Sequence, residues 1–192
     1  MPNSNTAQGV RPAMTGGPPP ARDASHTPPT PTWTLSGTTG ADTLTGTANA
    51  DRIYGDAGND TISALAGNDV LDGGAGTNRL TGGAGADLFV IDKATATAGA
   101  ITTITDFSVA DHDHIAFKGY GRAALFTTAA AAQASGGVYQ HLVTVGGASL
   151  LQLDVYAAGS TTAAATVQLV GVTATITDGL FGGPGGHGGP HP

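Results

Sequence analysis

The chain has 192 residues and a formal net charge of −7, and its fourteen acidic residues are all aspartate. It has no cysteine, which excludes a disulfide framework and a zinc–thiolate site. The seven lysines and arginines form no basic stripe and no apolar run reaches transmembrane length, so neither a nucleic-acid partner nor a membrane span is expected.

The first 33 residues are rich in Pro, Thr, Gly, Ser and Ala, and they contain almost no large apolar side chains. Proline-rich runs at 18–20 and 28–31 favour an extended linker. We predict a disordered segment over 1–33, because it cannot bury enough apolar surface to fold. It also lacks the apolar core of a secretory signal peptide.

Trp33 and Leu35 stand directly before the most regular part of the chain. We expect them to form a first strand that caps the open apolar end of a coiled structure, because solenoids need caps. A Trp33 side chain that stacks on a ligand is the alternative.

The regular part runs from Gly37 to Val90 and repeats every nine residues. The six nonapeptides are GTTGADTLT, GTANADRIY, GDAGNDTIS, ALAGNDVLD, GGAGTNRLT and GGAGADLFV. The fourth position holds Gly40, Asn49, Gly58, Gly67, Gly76 and Gly85, and the sixth holds Asp42, Asp51, Asp60, Asp69, Asn78 and Asp87. The eighth position holds Leu44, Ile53, Ile62, Leu71, Leu80 and Phe89.

This spacing predicts a short strand and a turn in every nonapeptide. Positions seven to nine are long enough only for a small strand, whose middle residue points inward. The first six positions, here called loops 1 to 6, turn the chain with glycines that allow positive φ. We expect Asn49 to replace a glycine there because asparagine tolerates the left-handed region, and the turn at Ala64 and Leu65 to be less free.

Two nonapeptides then form one coil of eighteen residues with a strand on each side. Loops 1, 3 and 5 stack on one edge, here the odd edge, and loops 2, 4 and 6 stack on the other, the even edge. Each gap between stacked loops gathers carbonyl and carboxylate oxygens, which are hard ligands suited to calcium. The gap that contains Asn78 has one charge fewer and should be the weakest.

The predicted metal ligands are the carbonyls of the first and third positions and the side chains of the sixth. They are Gly37, Thr39, Asp42, Gly46, Ala48, Asp51, Gly55, Ala57, Asp60, Ala64, Ala66, Asp69, Gly73, Ala75, Asn78, Gly82, Ala84 and Asp87. The pairs that face one another are Asp42 and Asp60, Asp60 and Asn78, Asp51 and Asp69, and Asp69 and Asp87.

The nonapeptide Gly-Gly-x-Gly-x-Asp-x-U-x, in which U is large and apolar, resembles the repeat of RTX (haemolysin-type) proteins. The resemblance implies an all-β fold, a right-handed parallel β-roll, with Ca²⁺ as its cofactor. A single Gly-Asn-Asp usually marks only a turn, and metal-free coils exist. Stacked carboxylates without a cation would repel one another, however, which favours the calcium interpretation.

The period breaks after Val90, and strand-like alternation returns at 101–107 and 113–117. The Thr-Asp-Phe…Asp-x-Ile pattern resembles the C-terminal modules of serralysin-type proteases and the R-modules of alginate epimerases. That resemblance implies a last calcium bound by Asp106 and Asp113. The loop between them is about one residue longer than usual, so the register is open and Asp111 is the alternative calcium ligand. His112 and His114 share a strand face, but without a third ligand we interpret them as exposed edge residues.

The C-terminal part is predicted to contain a short helix within 122–135 and strands over 138–145, 149–156 and 166–172. Residues 149–181 are similar to the C-terminal target region of proteins exported by type I secretion. The similarity implies an uncleaved export signal and a type I exporter as partner. The chain departs from that pattern in its Gly/Pro/His tail, 182–192, which we predict to be disordered.

Neither His-Glu-x-x-His nor Gly-x-Ser-x-Gly occurs, so we predict a protein that is not an enzyme. The expected segments are a linker (1–33), the calcium-binding roll (34–92), a β-rich region that continues the roll (93–181) and the tail (182–192). The leading hypothesis is a secreted, extracellular protein with a structural or surface and matrix role. The alternative is an accessory module of an exported hydrolase or polysaccharide-modifying enzyme, which leaves a cell-surface or polysaccharide target open.

Overall fold

The computed structural model describes residues 33–120, 125–126 and 128–173, and the predictions for the N-terminal linker and the tail lie outside them. Two sheets enclose an apolar core. The strands of the roll are β1 (Trp33–Ser36), β2 (Thr43–Thr45), β3 (Asp51–Tyr54), β4 (Thr61–Ser63), β5 (Val70–Asp72), β6 (Arg79–Thr81), β7 (Leu88–Asp92), β8 (Ile101–Ile104) and β9 (His114–Lys118).

The chain alternates between the two sheets at every loop. One sheet has the order β1-β3-β5-β7-β9, and β2, β4, β6 and β8 lie side by side in the other. All of these strands are parallel, and Ile53 pairs with Leu71, which pairs with Phe89. Each step is eighteen residues, or two nonapeptides. The prediction of a parallel β-roll is confirmed.

The eighth-position side chains fill the interior of the roll. All six are at most 1% exposed, and they are Leu44, Ile53, Ile62, Leu71, Leu80 and Phe89. Burying a side chain of this size contributes about 1.5–3 kcal/mol. Leu35 of β1 packs against the same core, so the predicted first strand is present and pairs with β3.

The roll continues for one more coil after the nonapeptides end. Ile104 pairs with Leu80 in one sheet, and Ile115 pairs with Phe89 in the other. Both isoleucines are fully buried and extend the two interior columns. The predicted segment boundary at residue 92 therefore falls before the last coil, which β8 and β9 complete.

The C-terminal elements are β10 (Leu125–Phe126), α1 (Ala129–Ser135), β11 (Gly137–Val145), β12 (Ala148–Tyr156) and β13 (Ala165–Val170). β11 and β12 form an antiparallel hairpin around Gly146 and Gly147, whose φ values of 60° and 86° suit a type I′ turn. β13 pairs with β12 on one side and with β8 on the other. The second sheet thus has eight strands and runs from the C-terminal hairpin into the roll.

The helix lies within the predicted range 122–135, and its N-cap is Thr128, whose hydroxyl accepts the Ala131 N–H. Gly136, with a φ of 72°, ends it. In the part of the chain that the structure describes, no helix is long and apolar enough to cross a membrane.

Candidate metal sites between stacked loops

The sixth-position side chains form a buried column along each edge of the roll. Each is at most 5% exposed, and the column on the even edge ends with Asp113. In every stacked pair, the Oδ1 atom of the later residue accepts the backbone N–H of the earlier one. These bonds are Asp42 N–Asp60 Oδ1 (2.9 Å), Asp60 N–Asn78 Oδ1 (2.9 Å), Asp51 N–Asp69 Oδ1 (2.7 Å), Asp69 N–Asp87 Oδ1 (2.9 Å) and Asp87 N–Asp113 Oδ1 (3.0 Å).

No basic side chain neutralises these columns among the described residues. The ion pairs there are Lys118 with Asp92 and His141 with Asp154, both away from the sixth positions. Four buried carboxylate oxygens have no hydrogen-bond partner. They are Asp51 Oδ1, Asp60 Oδ2, Asp69 Oδ2 and Asp87 Oδ2. A buried charge without a partner is costly, so the columns require a cation or protons.

The pKa values of the column carboxyls also indicate that the columns require a cation or protons. Burial raises the pKa of Asp60, Asp69 and Asp113 above the ordinary range, and neighbouring aspartates raise it further. Burial and the charges of Asp113 and Asp69 raise the pKa of Asp87 to about 7. Without a bound cation, this column therefore holds protons at a pH where exposed aspartates are ionised.

The first-position glycines leave open the space into which these oxygens point. A Cβ at Gly55 would lie 2.5 Å from both Asp60 Oδ2 and the Gly73 carbonyl oxygen of the next loop. A Cβ at Gly37 would lie 2.5 Å from the Gly55 carbonyl oxygen. Beside Gly55, carbonyl and carboxylate oxygens thus converge on one cradle, which is the donor set that calcium prefers.

Loop 4 departs from this pattern. Its first residue, Ala64, has a methyl group and is fully buried, so the gap between loops 4 and 6 has less free space. Leu65 has a φ of 81°, a conformation that Gly74 and Gly83 adopt at the same position of later loops. The sequence-based expectation of a constrained turn here is confirmed.

The third-position carbonyls take part in the ladder between loops. Ala75 O accepts the Gly58 N–H and Ala84 O accepts the Gly67 N–H, both at 2.9 Å. Parallel bridges pair Ala57 with Ala75 in the same way. A carbonyl oxygen has a second lone pair, so this bonding leaves room for a metal ligand.

The last loop, 105–113, stacks on loop 6 and brings Asp106 and Asp113 to the even edge. Asp113 occupies the sixth-position column, and its Oδ2 accepts the Ser108 N–H. Asp106 accepts the N–H groups of Gly82 and Gly83 at 3.0 and 2.8 Å. Asp111 is exposed, so the structure places Asp113 rather than Asp111 in the column.

Sequence reasoning missed the side chains that join or close the loops. Asn59 Oδ1 accepts the Thr77 N–H and Asn68 Oδ1 accepts the Ala86 N–H, each across one gap. Asparagine at the fifth position of loops 3 and 4 was the available signal. The expectation for Asn49 is wrong: its φ is not positive, because its N–H donates to the Thr47 hydroxyl in a differently shaped turn.

The histidine pair near the last loop forms no site in the described part of the chain. His114 Nδ1 lies 2.7 Å from the His112 carbonyl oxygen, and no group of three potential metal-ligating side chains of His, Cys, Asp or Glu occurs there. His112 is exposed in the turn before β9, with a φ of 67°, and His114 is the half-buried first residue of β9, so the expectation that the two share a strand face is wrong.

Residues 34–62 and 54–89 match the sequence model of the RTX calcium-binding nonapeptide repeat, in four copies. The chain is also similar to the solution structure of the AlgE6R3 subunit of the mannuronan C5-epimerase from Azotobacter vinelandii. The identity is 26% and the TM-score 0.59, over 81% of this chain and 92% of that one. A comparison with curated proteins finds no match. The repeats of this chain are therefore RTX calcium-binding repeats on a β-roll, and their ion is calcium.

Proposed function

We propose that this chain is a secreted calcium-binding protein that folds on extracellular calcium and has a structural or surface and matrix role. The observation that carries the proposal is the set of buried, unpartnered carboxylate oxygens on Asp60, Asp69 and Asp87. They lie in a fold whose interior supplies no compensating base among the described residues. A divalent cation between the loops removes this electrostatic cost.

The proposed ligands are the unpartnered Oδ2 atoms of the sixth position with the first- and third-position carbonyls of the facing loops. Calcium takes six to eight oxygen ligands in flexible geometry, which loops of different composition can provide. At the even edge, Asp87, Asp106 and Asp113 border the last gap. Asp106 already accepts two N–H groups, so we assign it a supporting role beside Asp87 and Asp113.

Export through a type I system is part of the same proposal. The C-terminal strands β12 and β13 contain the Leu-Gln-Leu-Asp-Val and Val-Gln-Leu-Val sequences on which the similarity to type I target regions rests. Co-expression with a type I exporter, with and without residues 149–192, tests this part. Equal amounts of both proteins in the medium would contradict it.

A second candidate is an accessory module of a polysaccharide-modifying enzyme. It is favoured by the similarity to AlgE6R3, which covers most of both chains. In this case the chain would bind a polysaccharide and act beside a catalytic partner. The two candidates differ in whether the purified chain binds mannuronan or alginate.

One set of measurements on the purified full chain tests the proposed function. Calorimetric titration should show calcium binding, and assays on alginate, casein and esters should show no turnover. Robust turnover of any of these substrates overturns the non-catalytic role. The absence of calcium binding overturns the proposal as a whole.

A further inference from the structure

The first loop on each edge is built differently from the loops that follow it. Asp42 Oδ2 accepts both the N–H of Thr38, at 2.5 Å, and its hydroxyl, at 2.9 Å. Asp51 Oδ2 accepts the same two groups of Thr47, at 2.6 and 3.0 Å. The same arrangement thus occurs twice, once at the N-terminal end of each column.

The threonine hydroxyls also hold the turn. Thr38 Oγ1 accepts the Gly40 N–H at 3.1 Å, and Thr47 Oγ1 accepts the Asn49 N–H at 3.2 Å. Each hydroxyl therefore accepts from the fourth position and donates to the sixth. This network fixes the second-position N–H toward the carboxylate of its own loop.

In loops 3 to 6 the second residue has a positive φ instead. The values are 67° at Asp56, 81° at Leu65, 71° at Gly74 and 102° at Gly83. The equivalent carboxylate oxygens, Oδ2 of Asp60, Asp69 and Asp87, then have no hydrogen-bond partner. The atom that is satisfied in loops 1 and 2 is therefore free in the later loops that carry aspartate.

A carboxylate oxygen has about two lone-pair sites. In Asp42 and Asp51, two donors occupy both sites of Oδ2, so the oxygen retains no lone pair for a metal. The donors also present positive hydrogen atoms to the space that a cation would enter. Asp51 keeps one unpartnered oxygen, Oδ1, which in later coils is the atom that accepts the N–H of the preceding loop; the loop residues one coil before Asp51, 28–32, lie outside those that the structure describes.

We infer that Thr38 and Thr47 are caps that close the first gap of each edge to calcium, an inference that rests on the proposed calcium function. Five loop gaps are bridged by sixth-position residues. Only three of them receive an unpartnered Oδ2, from Asp60, Asp69 and Asp87. The roll therefore binds three calcium ions, between loops 3 and 5, between loops 4 and 6, and between loop 6 and the last loop.

The caps can be opened by substitution. Glycine at the second position removes the hydroxyl and permits the positive φ of Gly74 and Gly83, which turns the N–H away from the carboxylate. The T38G/T47G variant should then bind two more ions than the wild type. The T38S/T47S variant keeps both donors and is the matched control.

The experiment counts bound calcium in the full chain by equilibrium dialysis at saturating calcium, with circular dichroism as a check on folding. We expect three ions for the wild type and for T38S/T47S, and five for T38G/T47G. If the double variant does not fold, the single variants T38G and T47G replace it in the experiment, and each should bind four calcium ions. Five ions in the wild type, or three in a folded T38G/T47G, overturns the inference while leaving the calcium function intact. A wild type that binds none overturns the proposed function itself.

Discussion

Asn78 Oδ1 accepts the backbone N–H of Asp60 at 2.9 Å, the bond that an aspartate accepts in every other stacked pair. Asn78 Nδ2 donates to the Gly74 carbonyl oxygen at 3.3 Å, within its own loop. An amide thus preserves the geometry of the column and contributes no charge. In the first loop of the odd edge, Thr38 donates two hydrogen bonds to a carboxylate. In the last loop of this edge, Asn78 has an amide N–H donor where an aspartate would have its second carboxylate oxygen.

Replacing Asn78 with aspartate should strengthen calcium binding between loops 3 and 5. The new carboxylate keeps the Oδ1 acceptor for Asp60 and adds a negative charge to the gap. Without calcium the same change should lower stability, because Oδ2 would face the Gly74 carbonyl oxygen without a donor. Titration calorimetry measures the first effect. The concentration of trimethylamine oxide needed to fold each protein in calcium-free buffer measures the second, and a variant that both binds calcium more tightly and folds at a lower concentration would contradict this explanation.

Asparagine at Asp69 should remove one bound ion, whereas asparagine at Asp42 should remove none. Asp69 Oδ2 is unpartnered, while Asp42 Oδ2 is bonded twice by Thr38. Both variants keep an Oδ1 atom, as Asn78 does, so backbone stacking is preserved equally. Calcium counting by dialysis compares them, and equal losses would reject the distinction between capped and open gaps.

The nonapeptide period was enough to predict the roll, because one apolar residue in nine can be buried only if the chain coils every eighteen. The eighth-position column, both loop edges and the alternation of Leu151, Leu153 and Val155 in β12 follow from such local patterns. The pairing of β13 with β8 could not be predicted in this way. It joins residues far apart in sequence, and no period links them.

The loop chemistry was predictable only in part. Aspartate in the sixth position indicated where the carboxylates lie, but not which oxygens would already be bonded. That depends on the φ of the second residue, and a threonine there changes both the turn and the donors. Thr38 and Thr47 stand where later loops have Asp, Leu or Gly, so the difference was visible in the sequence. Only the structure shows that these threonines donate hydrogen bonds to the carboxylate of their own loop.

Replacing Leu65 with glycine should stabilise the calcium-bound protein. A non-glycine residue in the left-handed region costs about 1–2 kcal/mol, which glycine avoids. Glycine loses about 0.5–1 kcal/mol more chain entropy on folding, which offsets part of this gain. The net gain should be about 0.5–1 kcal/mol. L65A is the control, because it removes the half-exposed side chain and retains the strained φ of 81°. Thermal unfolding compares the variants, and equal gains would assign the effect to the side chain rather than the backbone.

The calcium-free fold should become more stable as the pH falls. Burial raises the pKa of Asp87 to about 7, whereas the unfolded chain has an ordinary value near 3.8. Between these values the folded state binds more protons, so its stability is lost as pH rises toward 7. Far-ultraviolet circular dichroism in calcium-free buffer at pH 5 and pH 8 tests the sign, and the stronger β-sheet signal is expected at pH 5. The D87N variant should show a weaker pH dependence, and greater stability of the wild type at pH 8 would be the contrary result.

Calcium should also drive folding, and this would couple folding to export. Each nonapeptide contributes one large apolar side chain to the interior, against a backbone entropy cost of about 1–2 kcal/mol per residue. The buried carboxylates of Asp60, Asp69 and Asp87 oppose the calcium-free fold further. Ion binding must therefore supply part of the stability.

The size of that contribution depends on the compartment. Extracellular modules bind calcium with dissociation constants of about 0.1–1 mM. At about 1 mM calcium and a constant of about 0.1 mM, each site contributes about 1.4 kcal/mol, so three sites contribute about 4 kcal/mol. This is close to the whole stability of a marginal domain, about 5 kcal/mol. At micromolar calcium almost none of it remains, so the chain would stay unfolded inside the cell, as passage through a narrow exporter requires.

Far-ultraviolet circular dichroism during a calcium titration tests this directly. We expect little β-sheet signal in chelator at neutral pH and a cooperative gain as calcium reaches the millimolar range. Magnesium at the same concentration should not replace it, because Mg²⁺ demands near-ideal octahedral geometry and gives up its water reluctantly. D60N/D69N should need more calcium than the wild type, because two of the three unpartnered Oδ2 atoms are lost. A full β-sheet spectrum in chelator, unchanged by calcium, would mean that the apolar columns stabilise the roll alone and that export does not depend on the ion.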